Sequence, residues 1–158
     1  MMINNEFIVQ IKSSIEHKVL EKDEYKIHYF VSGKENGDLI FFLHPAFSDH
    51  RAFDLQIDYF SKNYRVITID LIGHGLSKAN GTKDKIDISP EHINEILKIE
   101  GFDKAHLVGV SMGSLIAQYF ALNYPEKIKS LTALGGYTIN EENKKIAKAQ
   151  RSANFSVV

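Results

Sequence analysis

The sequence predicts an α/β domain with a mostly parallel twisted sheet and flanking helices. Two observations carry that expectation. Short β-branched and apolar runs alternate with segments whose apolar residues recur at helical spacing, the pattern of parallel strands joined by helices. One run, Leu39-Ile40-Phe41-Phe42-Leu43, is continuously apolar, as a strand covered on both faces must be.

In chain order, Ile15–Leu20 and Tyr25–Val31 alternate apolar and polar residues around the Glu21-Lys22-Asp23-Glu24 link, which predicts an antiparallel hairpin with one solvated face. The 39–43 strand follows a turn-rich break at Gly33–Asp38 and stops at His44-Pro45. Phe53, Ile57 and Phe60 then mark a helix, and Val66-Ile67-Thr68-Ile69 a second buried strand. Leu71–Lys85 reads as a loop. A helix is expected from Ser89-Pro90, with Ser89 capping, Pro90 in the first turn, and Ile93, Ile96 and Leu97 facing inward until Gly101 stops it. Ala105–Val110 is a third buried strand, Met112–Asn123 an apolar helix blocked by Pro125, and Lys129–Leu134 a fourth central strand ended by Gly135-Gly136. Ile139–Arg151 reads as a polar-faced helix. The expectation is one domain over 1–158, with its core at 1–136.

Composition narrows the function classes. The 158 residues include 19 Lys+Arg against 20 Asp+Glu, with 25% charged and 44% hydrophobic residues. A net charge of −1 lacks the single-sign excess of a nucleic-acid or anionic-membrane binder. No apolar run approaches the roughly 18 to 20 residues of a membrane span. Zero cysteine removes disulfides, thiolate metal sites and cysteine nucleophiles together, and with no basic segment ahead of an apolar run at the N-terminus, a cytoplasmic location is expected. No cofactor and no metal ion are expected. His50 beside Asp49, with His74 and Asp70, lacks the spacing of a closed ligand set.

The strongest chemical signal is Gly109-Val110-Ser111-Met112-Gly113, where a buried strand meets an apolar helix. A serine on so sharp a turn is strained, and small neighbours at Gly109 and Gly113 keep side chains off the adjoining strand and helix. The hydroxyl is lifted clear of the sheet, and the helix N-terminus turns backbone N–H groups toward any oxyanion formed there.

With this motif in place, the chain resembles the α/β-hydrolase superfamily. His44-Pro45-Ala46-Phe47 is similar to the family's oxyanion loop, with Pro45 where glycine is usual. Asp70-Leu71-Ile72-Gly73-His74-Gly75-Leu76-Ser77 resembles its Asp-x-x-Gly-x-Gly-x-Ser loop, and Tyr124-Pro125-Glu126-Lys127-Ile128 the entry to its sixth strand. The resemblance implies an α/β-hydrolase fold truncated after that strand, so that the single domain over 1–158 is incomplete, with 137–158 the start of a cap or lid helix. It implies a serine hydrolase of carboxylic esters or related acyl bonds, with Ser111 as nucleophile and a small-molecule acyl substrate. The oxyanion would be held by the N–H of Met112 and by that of Ala46, with Phe47 second, since Pro45 has none to give. His44 and Asp70 would order their loops. A serine at the elbow argues against the family's dehalogenases and epoxide hydrolases, which use a carboxylate nucleophile.

The departure from the family lies in the base. There the acid and histidine follow the serine in chain order. Here His17, His28, His44, His50, His74, His92 and His106 all precede Ser111. Glu141 and Glu142, in a charged run, read as a solvated face. The chain is therefore expected to be the N-terminal part of a hydrolase, inactive alone and self-associating through an exposed sheet edge. The alternative is a non-catalytic binding or interaction module derived from a hydrolase half.

Overall fold

The run Leu39–Leu43 forms strand β3, and its alternation divides the core in two: Leu39, Phe41 and Leu43 enter one hydrophobic cluster, Ile40 and Phe42 the other. The computed structural model describes residues 15–80 and 86–136. Before β3 come β1 (Glu16–Lys22) and β2 (Tyr25–Gly33). After it come a 3₁₀ turn at His50–Phe53, α1 (Asp54–Phe60), β4 (Arg65–Ile69) and β5 (Lys78–Ala79). The chain continues through α2 (Ser89–Ile99), β6 (Ala105–Val110), α3 (Met112–Asn123) and β7 (Ile128–Leu134).

The strand order is β1-β2-β4-β3-β6-β7, with β5 paired to β2. β4, β3, β6 and β7 are mutually parallel, whereas β2 runs antiparallel to β1, β4 and β5, so the sheet is mixed. Ile93, Ile96 and Leu97 of α2 and Ile116, Ala117 and Phe120 of α3 cover one face with Phe41 and Leu107. Phe53 and Ile57 cover the other against Ile40, Phe42 and Val66. Truncating a fully buried residue such as Phe41 to alanine costs about 3–5 kcal/mol.

In β2, Tyr25, Ile27, Tyr29 and Val31 are buried and Lys26 is exposed, the alternation of a half-covered strand. The hairpin is tied to the end of α2: Tyr29 Oη donates to Glu100 Oε1 at 2.8 Å, and Lys18 Nζ donates to both Glu100 oxygens at 3.0 Å. α2 ends with Gly101 at φ +76°, whose N–H donates to Lys98, while Phe102 N–H reaches back to Leu97.

Three expectations need correction or placement. Ser89 does not cap α2: Ile88 stands at the cap position, and the buried Ser89 hydroxyl has no hydrogen-bond partner. Pro90 does sit in the first turn. Within the stretch read as loop, Lys78 and Ala79 pair with Lys26 and Tyr25 as β5. The helix expected at Ile139–Arg151, and with it the cap segment 137–158, lies outside the described residues. Among the described residues no helix is long and apolar enough to cross a membrane.

Candidate active site

Ser111 stands between β6 and α3 with φ +51° and ψ −114°, a region L-residues seldom adopt. Its amide donates to the Leu134 carbonyl at 2.8 Å, carrying the β6–β7 ladder into the turn. Its carbonyl accepts from the Ser114 N–H at 2.9 Å and the Ser114 hydroxyl at 2.6 Å, which closes the first turn of α3. The first N–H groups of a helix have no partner within it. Met112 begins α3 and so brings such a donor beside Ser111.

The glycines around Ser111 are set by contact. A Cβ at Gly109 would lie 2.3 Å from the Gly113 carbonyl oxygen. One at Gly113 would lie 2.1 Å from the Leu43 carbonyl oxygen and 2.9 Å from that of His44. The first turn of α3 therefore abuts the end of β3, where the His44-Pro45-Ala46-Phe47 loop begins. Gly136 closes a third side, since a Cβ there would fall 1.8 Å from Ser114 Oγ. Sequence reading took Gly136 only as the end of the 129–134 strand and did not single out Ser114, because only the return of β7 beside β6 brings the two together.

His44 is fully buried, and both ring nitrogens are engaged. Nε2 accepts the Leu71 N–H at 3.0 Å, which places the ring proton on Nδ1, donated to the Pro45 carbonyl at 2.7 Å. Burial holds its pKa below the usual histidine value. No nitrogen remains to take a proton from Ser111. Beyond it, Phe47 has φ +60° and is 68% exposed. Among the described residues, Phe47 and Ser111 are the two non-glycine positions with positive φ.

Asp70, fully buried at the end of β4, gathers the two loops. Oδ1 accepts the His50 N–H at 2.8 Å and His50 Nδ1–H at 2.7 Å, and Oδ2 accepts the Leu76 N–H at 2.9 Å. Its carboxylate fills the space above Gly75, where a Cβ would meet Oδ2 at 2.3 Å with φ already at +54°. Ser77 Oγ accepts the His28 N–H at 2.8 Å and fastens the 70–77 loop to β2. The loop holding Ala46 and Phe47 is thus anchored at both ends, through His44 to Leu71 and through His50 to Asp70. His50 was read only as an unconvincing metal ligand, and nothing in its local sequence marks it as an anchor. Ligand atoms of Asp49, His50 and Asp70 lie within 4.8 Å of one another. They are occupied within the protein, because the Asp49 carboxylate takes Arg51 and its pKa falls to about 2 through that contact. His74 stands outside this group.

The sequence model of the alpha/beta hydrolase fold family matches residues 38–158. The chain belongs to the α/β-hydrolase fold family. The hydrolase-fold chain is 36% identical over 119 residues to 2-hydroxy-6-oxononadienedioate/2-hydroxy-6-oxononatrienedioate hydrolase of Paraburkholderia phymatum, covering 73% of this chain and 41% of that protein. It is 32% identical over 111 residues to Epoxide hydrolase 4 of Mus musculus, covering 69% of this chain and 31% of the relative. The naproxen esterase (carboxylesterase NP) of Bacillus subtilis superposes with a TM-score of 0.72 at 21% identity over 95% of this chain and 56% of its own, a likeness of fold. The hydrolase-fold chain thus spans less than half the length of the curated relatives it matches.

Proposed function

We propose that this chain carries the nucleophile and the oxyanion donors of a serine hydrolase acting on carboxylic esters or related acyl bonds. The observation that carries the reading is the backbone of Ser111, held at φ +51° on a turn that only small neighbours allow. Strain of this kind concentrates at functional positions. In the proposed reaction Ser111 Oγ attacks the acyl carbon, and the carbonyl oxygen, now negative, is met by the N–H of Met112 and that of Ala46 or Phe47. Neutral N–H groups held by the fold around the developing charge would need little reorganisation during reaction.

The hydroxyl proton must pass to a general base, and His44, the histidine adjoining the oxyanion loop, has both nitrogens engaged. The 158-residue chain is therefore a poor catalyst by itself. The likeness to epoxide hydrolases favours a second reaction class, but that chemistry uses a carboxylate nucleophile where this chain has Ser111. A non-catalytic interaction module is the other reading.

Hydrolysis of an activated aryl ester tests the proposal. The 158-residue chain should turn over near background, with Ser111→Ala changing little. If the reading frame continues beyond codon 158 through an acid and a histidine, the longer product should hydrolyse the ester at a rate that Ser111→Ala abolishes. Turnover by the 158-residue chain at ordinary rates of about 1–10³ s⁻¹, lost in His44→Ala, would overturn the assignment of His44. A longer product inert toward acyl substrates would favour the interaction module.

A further inference from the structure

A different serine is paired with a histidine near the start of β6, at the other end of that strand from Ser111. In the β6–β7 register His106 lies beside Ser130, so their side chains share one face of the sheet. His106 Nδ1 and Ser130 Oγ are 2.7 Å apart. Asp38, which precedes β3, brings Oδ2 to 3.9 Å from His106 Nε2, while Lys129 donates to its other oxygen. The Lys129 contact holds the Asp38 carboxyl below the usual carboxylate range, so it faces the ring as an anion. An anion on the Nε2 side keeps the ring proton there, and the Nδ1 lone pair accepts the Ser130 hydroxyl. Tyr64 meets the imidazole edge-on, with ring centroids 6.3 Å apart and planes at 89°. Ser130 is exposed, and Ile40, Phe60, Tyr64 and Val108 join the pair in lining an open hollow of about 210 Å³.

We propose that Ser130 is a second nucleophile, activated by His106, which takes a short apolar acyl group from an activated ester or thioester. A nucleophile within hydrogen-bond reach of a base, with a third group orienting that base, is the arrangement that activates a serine. Ser130 Oγ bonds to the acyl carbon as its proton passes to His106 Nδ1. The bond from that carbon to the leaving oxygen or sulfur then breaks, and the departing anion takes the proton from His106. An acylated Ser130 and a free alcohol or thiol are the products. The apolar floor of the hollow receives the acyl chain.

This chemistry does not rest on the role given to Ser111. Ser130 lies near the N-terminal end of β7, where, among the described residues, α1 and α2 arrive by their C-terminal ends. It therefore has no counterpart of the Met112 N–H that a helix start brings to Ser111. One absent oxyanion donor costs about 10²–10³ in rate, which confines the reaction to donors with a good leaving group. The seryl ester formed has a poor one, so the reaction stops after one acyl group per site.

Incubating the dilute, untagged 158-residue chain with p-nitrophenyl butyrate tests the proposal. Peptide mapping by mass spectrometry should place a butyryl group on Ser130 in the folded chain and not in urea. His106→Gln should slow this labelling about 10²-fold, the lower end of what a general base contributes. Asp38→Asn leaves the Ser130–His106 pair in place, should slow labelling several-fold, and guards against a folding defect in the first variant. p-Nitrophenyl acetate should react several-fold more slowly, because its acyl group buries fewer methylenes in the hollow. Because the label is read by position, the outcome at Ser130 is separate from that at Ser111. Absence of label from Ser130, equal labelling in urea, or an unchanged rate in both folded variants would overturn the proposal, and equal rates for the two esters would overturn the assignment of the hollow to the acyl chain.

Discussion

Gly113 and Leu43 are in backbone contact: a Cβ on the glycine would stand 2.1 Å from the leucine carbonyl oxygen. The helix that begins at the proposed nucleophile is therefore seated directly on the strand that leads into the proposed oxyanion loop. Neither partner can give way, because Leu43 is fixed in β3 between β4 and β6. Gly113→Ala should lower stability by about 1–3 kcal/mol or more, the range for overpacking a filled interior. Chemical denaturation measures this, and a loss under about 0.5 kcal/mol, typical of a surface change, would mean that the contact is slack.

Ser111→Gly should have the opposite sign. At φ +51° and ψ −114° a serine carries strain of about 1–3 kcal/mol, against an entropic cost of about 0.4–1 kcal/mol for glycine in the unfolded chain. The expected net gain is roughly 1 kcal/mol, seen as a higher denaturation midpoint with an unchanged slope. A less stable variant would show that the hydroxyl contributes more than the backbone costs.

His92 makes stability fall in mild acid. Its ring is buried beside Tyr25 with neither nitrogen bonded, and burial lowers its pKa to about 4. The folded state thus prefers the neutral ring, and the unfolded chain binds the extra proton near pH 6.5. The contribution is fully present above pH 6.5, is lost as pH falls toward 4, and amounts to about 3 kcal/mol. Unfolding free energies measured from pH 7 to 4 should show this loss, and His92→Leu should flatten that part of the profile. An equally steep profile in the variant would assign the loss to other groups.

The 158-residue chain should self-associate. β7 lies at one edge of the described sheet, its Ser130–Leu134 stretch carries no charge, and Leu131 and Leu134 are 38% and 50% exposed. The other edge, β1, presents Glu16, Lys18, Glu21 and Lys22, which discourage pairing. Light scattering over a dilution series should show growing mass with concentration, and a monomer throughout would contradict the reading.

Much of the fold was legible because its strongest signals are local. The Leu39–Leu43 run, the alternation in Tyr25–Val31 and the Gly101 stop each follow from a few adjacent residues, and the strand–turn–helix setting of Ser111 was readable for the same reason. What escaped depends on partners distant in sequence. β5 exists because Asn80 donates to Glu24 and Asp23 across the hairpin turn, which two residues of strand cannot announce. Ser89 has the composition of a cap, yet the preceding 3₁₀ turn at Ile86–Ile88 runs straight into the helix and moves the cap position to Ile88. His50 gains its place at Asp70 only when β3 and β4 lie side by side.

That strand order also bears on synthesis. β3 does not touch β2, its predecessor in the chain; β4 comes to lie between them. A nascent chain that has just released Leu39–Leu43 holds five apolar residues with no neighbour on either side until β4 emerges roughly two dozen residues later. At about 5–20 residues per second, that interval lasts on the order of seconds. In that window the strand has neither of its partners; β4 closes one side of it, and β6 (Ala105–Val110) later closes the other.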